Sequence, residues 1–237
     1  MDGLIQELYN TFIRENRWTL FVSGIGNTLL ISLFAVALGM LLGVLAGLGK
    51  LAERKKGRFW LWSALSWFAN RLSALYIDII RGTPTVVQIT VIYFIIFASV
   101  DIDKRIVAVI AFGINSGAYV AEIIRSGILS ISKGQTEAGR SLGLTQAQTM
   151  THIVMPQAIK NILPALGNEF IVLVKETAVI GYVAKIDLMA AAMNVQSRTY
   201  SYVVPLLSVA VIYYVIIKIL TLFLNLWERK LRKSDVR

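Results

Sequence analysis

The 237 residues are 56% hydrophobic and only 16% charged, with a mean hydropathy of +0.66, which excludes an ordinary soluble domain and points to one membrane domain over 1–237. The formal charge of +10 sits in short connections that bracket apolar runs, a pattern of membrane topology and not of a nucleic-acid surface. The sequence contains no cysteine, so disulfides, thiolate metal sites and cysteine nucleophiles are excluded as well.

A bilayer core of about 30 Å needs about 20 apolar residues as a helix. The first run that qualifies is 20–49; it lacks a small-residue cleavage pattern and leads into a basic loop, so it reads as a retained helix. Its Gly39, Gly43 and Gly47, four apart, either admit a neighbouring helix or simply face lipid. The second run, 59–99, is too long for one span and breaks near 81–84, at Arg81-Gly82-Thr83-Pro84, where proline removes a backbone donor and glycine loosens the helix. Its tryptophan-rich opening (Trp60, Trp62, Trp67) is expected to lie partly along the membrane surface. Three further spans are predicted at 105–131, 165–184 and 202–227, the last flanked by Tyr200, Tyr202 and Trp227 as an aromatic belt requires.

Lysine and arginine in the short connections set the orientation. Lys50, Arg54, Lys55, Lys56 and Arg58, then Lys133, Arg140 and Lys160, then Arg229, Lys230, Arg232, Lys233 and Arg237 fall on one side, which is therefore cytoplasmic. The expected fold is an all-α membrane protein with five transmembrane helices, N-terminus outside and C-terminus cytoplasmic.

Between the third and fourth spans lies an unusually long cytoplasmic connection, 132–164, which reads as two short helices. Glu137 to Leu142 favours helix, Gly143 suits a turn, Thr145 caps the second helix and Pro156 interrupts it. The order Glu137-Ala138, then Gly143, then Ile153, Met155 and Pro156 resembles the EAA loop of ABC importer permeases, with Gly139 for the third alanine and Met155 for leucine. That resemblance implies a type I ABC importer-like fold, in a bacterial cytoplasmic (inner) membrane, and a coupling helix that docks on an ATPase subunit. The segments Tyr76 to Gln88 and Ala118 to Ile128 are similar to permeases of the polar amino acid uptake family, which serves histidine, arginine, glutamine and related substrates. The family implies a second permease subunit, identical or related, two ATPase subunits that hold ATP and Mg, and an external substrate-binding protein. No cofactor is expected in this chain.

Charged residues inside spans are costly and mark function by default. Asp78, Arg81, Thr85 and Gln88 are spaced three, four and three, so on a continuous helix they share one face; Asn115, Tyr119, Glu122 and Ser126 form a second stripe. An amino acid zwitterion needs a cation for its carboxylate, which Arg81 offers, and an acid for its ammonium, which Asp78 or Glu122 offers. Gln88, Asn115 and Ser116 add neutral hydrogen bonds, and the second acid suits a basic side chain, so arginine, lysine or histidine is the expected substrate. The competing expectation is internal pairing, Asp78 with Arg81 and Glu122 with Arg125. Lys175 and Glu176 are expected in structural or gate roles, Lys218 in snorkelling or subunit pairing, and Met189 to Met193 in an outer lid or an ordinary packing loop.

No glycine-rich loop ending in Gly-Lys-Ser/Thr is present, so ATP hydrolysis falls to a partner and the chain is not itself an enzyme. The lone His152 forms no metal or nucleophile constellation and reads as a helix-surface residue. A stand-alone ion-coupled carrier or channel using Asp78 and Glu122 leaves the loop at 132–164 without a purpose, and a lipid-directed enzyme lacks a catalytic pair at an interface.

Overall fold

The computed structural model describes residues 2–51 and 60–232, and its regular elements there are all helices. They are α1 (Asp2–Leu8), which runs into a wide π-helical turn at Tyr9–Ile13, α2 (Trp18–Leu51), α3 (Trp60–Gly82) and α4 (Thr85–Val91), which runs into a second wide turn at Ile92–Ile96. Next come α5 (Lys104–Leu129), α6 (Lys133–Ser141) and α7 (Gln146–Thr149), with a third wide turn at Met150–Val154. The chain ends with α8 (Met155–Glu176), α9 (Ala178–Val183), α10 (Leu188–Thr199) and α11 (Val203–Arg232). The basic residues Arg54, Lys55, Lys56 and Arg58, with Lys233 and Arg237, lie outside the described residues.

By length and composition, four helical runs among the described residues are able to cross a membrane: Trp18–Gly49, Lys104–Leu129, Gln146–Thr199 and Val203–Leu231. Ala64–Gly82 and Thr85–Ile96 meet the same test only as a pair, bent by 109° at the break between them. The aromatic opening of the second run belongs to the same unbroken helix as Asp78 and Arg81, so the change of direction comes at Thr83–Pro84 and not where the tryptophans end. Pro84 is extended (φ −64°, ψ 134°) and starts α4, where its missing N–H costs nothing. The expectation that Asp78, Arg81, Thr85 and Gln88 share one face is therefore overturned, because it assumed a straight helix.

The fourth expected span also shifts. Pro156 does not interrupt the chain's helical path: it sits in the first turn of α8, and the wide turn before it lets the Met155 N–H reach the Met150 carbonyl. A proline in a first turn removes a donor that has no partner anyway. The helix then continues to Glu176, turns at Thr177, whose Oγ1 donates to the Val174 carbonyl (2.9 Å), and ends its second part at Val183.

Side-chain caps start α5, α6 and α10. Asp103 accepts from the Arg105 N–H (2.8 Å), Ser132 from the Gly134 N–H (3.3 Å), and Asp187 from the N–H groups of Met189 (3.1 Å) and Ala190 (2.9 Å), each satisfying a free first-turn donor.

In lipid the apolar driving force between helices is weak, so close backbone approach has to hold the bundle together. The α2–α5 pair meets that demand: a Cβ at Gly39 would stand 2.8 Å from Ser116 Oγ, and one at Gly43 2.5 Å from Val120 Cγ1. The small-residue pattern of the first span is thus a helix contact and not a lipid face. Around this pair Ile31, Ile89, Ala108, Phe112, Leu173 and Ile180 pack into one core drawn from α2, α4, α5, α8 and α9. A second core sets Leu188, Ala192 and Val195 of α10 against Phe21 and Val209. Met189 and Met193 accordingly belong to a packed helix rather than a free lid.

Candidate functional site

The last turn of α3 carries Arg81 to the face of α5. Tyr76, one and a half turns earlier, donates to the Ile114 carbonyl (2.6 Å) and ties the two helices together. Arg81 then places its guanidinium 5.7 Å from the centre of the Tyr119 ring, within cation–π range, and 3.8 Å from Glu122 Oε2. Glu122 also receives Arg125, whose Nε lies 3.0 and 2.9 Å from its two oxygens and whose Nη2 pairs with Oε1. One acid thus stands between two arginines.

Arg81 and Tyr119 form the partition between two clefts. The narrower, of about 440 Å³, is lined also by Glu122, Asn161, Ala165 and Glu169; the wider, of about 930 Å³, is lined also by Arg71 and Asp78. Both are of the size that small-molecule sites occupy. Glu169, on α8, is buried and accepts a hydrogen bond from Ser116 Oγ of α5 (2.8 Å). A buried acid joined to a hydroxyl, beside a half-exposed arginine and a second acid, offers hydrogen-bond acceptors for ammonium or guanidinium and a donor fork for carboxylate.

The expected site residues divide between the clefts and the helix break. Asp78, Arg81, Tyr119 and Glu122 line the clefts. Ser116 acts through Glu169. Gln88 and Asn115 line neither cleft: the Asn115 amide donates to Gln88 Oε1 (2.8 Å), and the Gln88 amide donates to the carbonyls of Ile80 (2.7 Å) and Thr83 (3.0 Å) and to Thr83 Oγ1 (2.7 Å). They satisfy carbonyls left free where α3 ends. Among the described residues no ion pair joins Asp78 to Arg81, whereas the Glu122–Arg125 pair is present. Lys175 is exposed and Glu176 half-buried; the Lys218 ammonium lies 5.4 Å from the Tyr214 ring centre. The residue missed by sequence reading is Glu169. It satisfied the same criterion as Glu122, an acid inside an apolar run, and stands four after Ala165 and eight after Asn161 on one helix face.

The connection 132–164 holds a compact hairpin. α6 ends on Gly143 at φ +85°, a left-handed conformation that glycine adopts without cost, with the Gly143 N–H on the Arg140 carbonyl (3.0 Å) and the Leu144 N–H on the Gly139 carbonyl (3.2 Å). Thr145 opens α7 with a reciprocal capping box to Gln148. Glu137 and Ala138 are exposed and Gly139 is buried, its missing side chain leaving room for Thr149 and Ile153. Leu142, at the tip, is 81% exposed. His152 is exposed, as expected, with Nδ1 3.0 Å from the Gln148 carbonyl. Among the described residues no group of three or more histidine, aspartate or glutamate side chains is placed to hold a metal ion.

This arrangement has relatives. Residues 39–233 match the family described as "Binding-protein-dependent transport system inner membrane component". The chain is 39% identical over 86% of its length to a putative glutamine transport system permease protein GlnP of Rickettsia typhi, covering 89% of it. It is 37% identical over 90% of its length to the arginine transport system permease protein ArtQ of Bacillus subtilis, covering 93% of that chain. Among solved structures, an amino acid ABC transporter with histidines aligns at a TM-score of 0.81 and 41% identity, covering 92% of this chain and 98% of the other. The MetNI methionine ABC transporter aligns at a TM-score of 0.70 and 20% identity over 90% and 97% of the two chains, a likeness of fold alone that makes this a type I ABC importer fold. The chain belongs to the binding-protein-dependent transport system inner membrane components, as an ABC-transporter permease subunit of the polar amino acid uptake family.

Proposed function

We propose that this permease carries a basic amino acid, of the arginine, lysine or histidine class, through the clefts partitioned by Arg81 and Tyr119. The observation that carries the reading is the acid pair Glu122 and Glu169 lining one cleft, with Arg81 between them and the wider cleft of Arg71 and Asp78. The substrate carboxylate meets Arg81, and the ammonium and side-chain cation divide among Glu122, Glu169 and Asp78. ArtQ, a relative named for arginine, and the amino acid transporter solved with histidines support a basic substrate; GlnP, named for glutamine, supports the wider polar class.

The bent pair of α3 and α4 counts as one crossing, which makes five spans with the N-terminus outside. The hairpin of α6 and α7 then faces the cytoplasm, where Glu137, Ala138, Gly143, Ile153, Met155 and Pro156 form or brace the coupling element and the exposed Leu142 enters a cleft of the ATPase subunit. ATP and Mg act on that subunit. Two permease subunits, identical or related, enclose the pathway, and an external binding protein delivers the substrate.

The test is uptake into proteoliposomes containing the permease, its ATPase subunit and binding protein, with ATP inside. Labelled arginine, lysine or histidine should accumulate ahead of glutamine and only with ATP. Preference for glutamine would overturn the basic-substrate reading, and uptake driven by an ion gradient without ATP would overturn the coupling reading.

A further inference from the structure

The first helix of the chain has no place in the mechanism above, and its surface is unusual. Over α1 and the start of the turn after it, Leu4, Ile5, Leu8 and Tyr9 fall within an arc of about 140° at about 100° per residue, with Gly3, Gln6, Glu7 and Asn10 opposite. These apolar side chains are exposed, Leu4 by 61% and Ile5 by 63%. A helical segment this short is marginal in water without a partner, so its apolar side needs covering.

The segment is fastened to the body at its other end. Glu15 (φ 56°) and Asn16 (φ 54°) are both left-handed and reverse the chain, and Arg17, only 4% exposed, holds the reversal by donating to the Asn10 carbonyl (2.8 Å) and meeting Glu15 (3.2 Å). Glu15 also meets Arg198, at the end of α10 (3.2 Å). Thr11 is buried, and the Phe12 and Phe21 rings stand 4.9 Å apart, which seats the turn against the first turn of α2. From that same turn the outward strip of the first span begins: Trp18, Val22, Leu30, Leu33 and Leu41 are exposed along α2. The apolar side of α1 therefore starts where the lipid-facing strip starts, with Tyr9 and Trp18, both interface-type aromatics, at the junction.

We infer that α1 is an interfacial anchor, lying in the headgroup and acyl boundary of the phospholipid bilayer with Leu4, Ile5, Leu8 and Tyr9 towards the acyl chains and the exposed Gly3 and Gln6 towards water. Its placement at the outer leaflet rests on the N-terminus-outside topology proposed above; its seating in an interface does not. The clasp of Arg17, Glu15 and Arg198 makes the anchor rigid with respect to α2 and α10, so it fixes the depth and tilt of the first span.

The cysteine-free chain allows a direct test. Single cysteines replace Ile5, Leu8, Gly3 or Gln6, one at a time, and carry a nitroxide label in the assembled transporter in phosphatidylcholine and phosphatidylglycerol bilayers. Labels from Ile5→Cys and Leu8→Cys should collide with dissolved oxygen severalfold more than with a water-soluble nickel chelate, and those from Gly3→Cys and Gln6→Cys should show the opposite. Equal nickel access at all four positions would place the helix in water and overturn the inference. Immobile labels at 5 and 8, shielded from both reagents, would put a protein partner on this face and also overturn it. In sealed vesicles an external, impermeant reductant should bleach the Gln6→Cys label; failure there, with the oxygen pattern intact, would refute the topology and leave the anchor standing.

Discussion

At Gly139 two opposing effects on the hairpin of α6 and α7 are large enough to be separated. Replacing this glycine with alanine raises helix propensity by up to about 1 kcal/mol. It also introduces a methyl 2.8 Å from both Ile153 Cδ1 and Thr149 Cγ2 and 3.0 Å from Thr149 Oγ1. Optimal carbon separation is about 3.5–4.0 Å, so two contacts must open by about 0.7 Å or more. Thr149 is β-branched and buried, which removes the easy escape of a rotamer change, and overpacking of this kind costs about 1–3 kcal/mol. The clash wins in the native background, and Gly139→Ala is expected to loosen the hairpin. In a Thr149→Ala, Ile153→Val background all three crowding atoms are gone, only the propensity gain remains, and the same substitution should tighten it. Exchange of the Leu144 amide, which bonds to the Gly139 carbonyl, reads the local opening, and 1.4 kcal/mol is tenfold in that rate when exchange tracks the opening equilibrium. Slower exchange of Leu144 on Gly139→Ala alone, or the same sign of effect in both backgrounds, would refute the reasoning.

Glu122→Gln separates two roles for that acid: the exposed side of its pairing, with Arg81 at 3.8 Å, is worth about 1 kcal/mol or less, whereas a lost charged contact with substrate costs about 1.5–3 kcal/mol. Arginine affinity, read from substrate-stimulated ATPase activity, should therefore fall by about tenfold or more, and a change within about fivefold would assign Glu122 to structure alone. Gln88→Leu should cost about 1–3 kcal/mol through the Asn115 amide and the Ile80 and Thr83 carbonyls it strands, seen as earlier thermal loss of the assembled complex; an unchanged melting profile would show that water replaces Gln88 at the break. Glu15 lies outside the spans, and the hydrogen bond from Arg17, then its charge, with a smaller share from Arg198, holds its carboxyl below the ordinary 4.5. A depressed acid contributes stability above its unfolded value and loses it as pH falls through the folded one, so the mobility of a label at Asn10→Cys should stay constant from neutral pH to the ordinary carboxylate range and rise only below it. A rise between pH 7 and 6 would mean that some other group closes the clasp.

The reach of each interaction along the chain decides how much of it was legible in the sequence. Long apolar runs and the Thr145 and Gly143 signals act within a few residues, so the all-helical membrane character, the hairpin turn and its cap were legible in the sequence. Pro84 disclosed the existence of a break but not its 109°, because the angle is fixed by Ile89 and Ile92 packing into the core, a contact with helices far away in the chain. Once the helix turns there, Gln88 folds back on α3 and leaves the stripe with Asp78 that its spacing promised. Glu169 was visible as a residue yet invisible as a site member, since its meaning depends on Ser116, 53 residues earlier on another helix. Pro156 misled for the opposite reason: a proline rule for helix interiors was applied to a position that turned out to be a first turn.

The same geometry indicates which wall of the cleft moves. The walls come from α3, α5 and α8, and α5 is locked to α2 where Gly39 and Gly43 bring the backbones together. α3 is tied to α5 by Tyr76 and by Arg81 on Tyr119 and Glu122. α8 follows the hairpin directly through the wide turn at Met150–Val154, and from Met155 to Glu169 it runs about 21 Å at a rise of about 1.5 Å per residue. Its polar ties to α5 and the α5 C-cap at the cleft are the Ser116–Glu169 hydrogen bond (2.8 Å) and the Asn161–Ser130 hydrogen bond (2.9 Å), each worth about 0.5–3 kcal/mol. With the hairpin proposed as the coupling element, force applied there is carried along α8 and works against those two bonds. In the proposed reading Glu169 both meets the substrate cation and sits on the helix that the hairpin moves, so a shift of α8 would displace a ligand group.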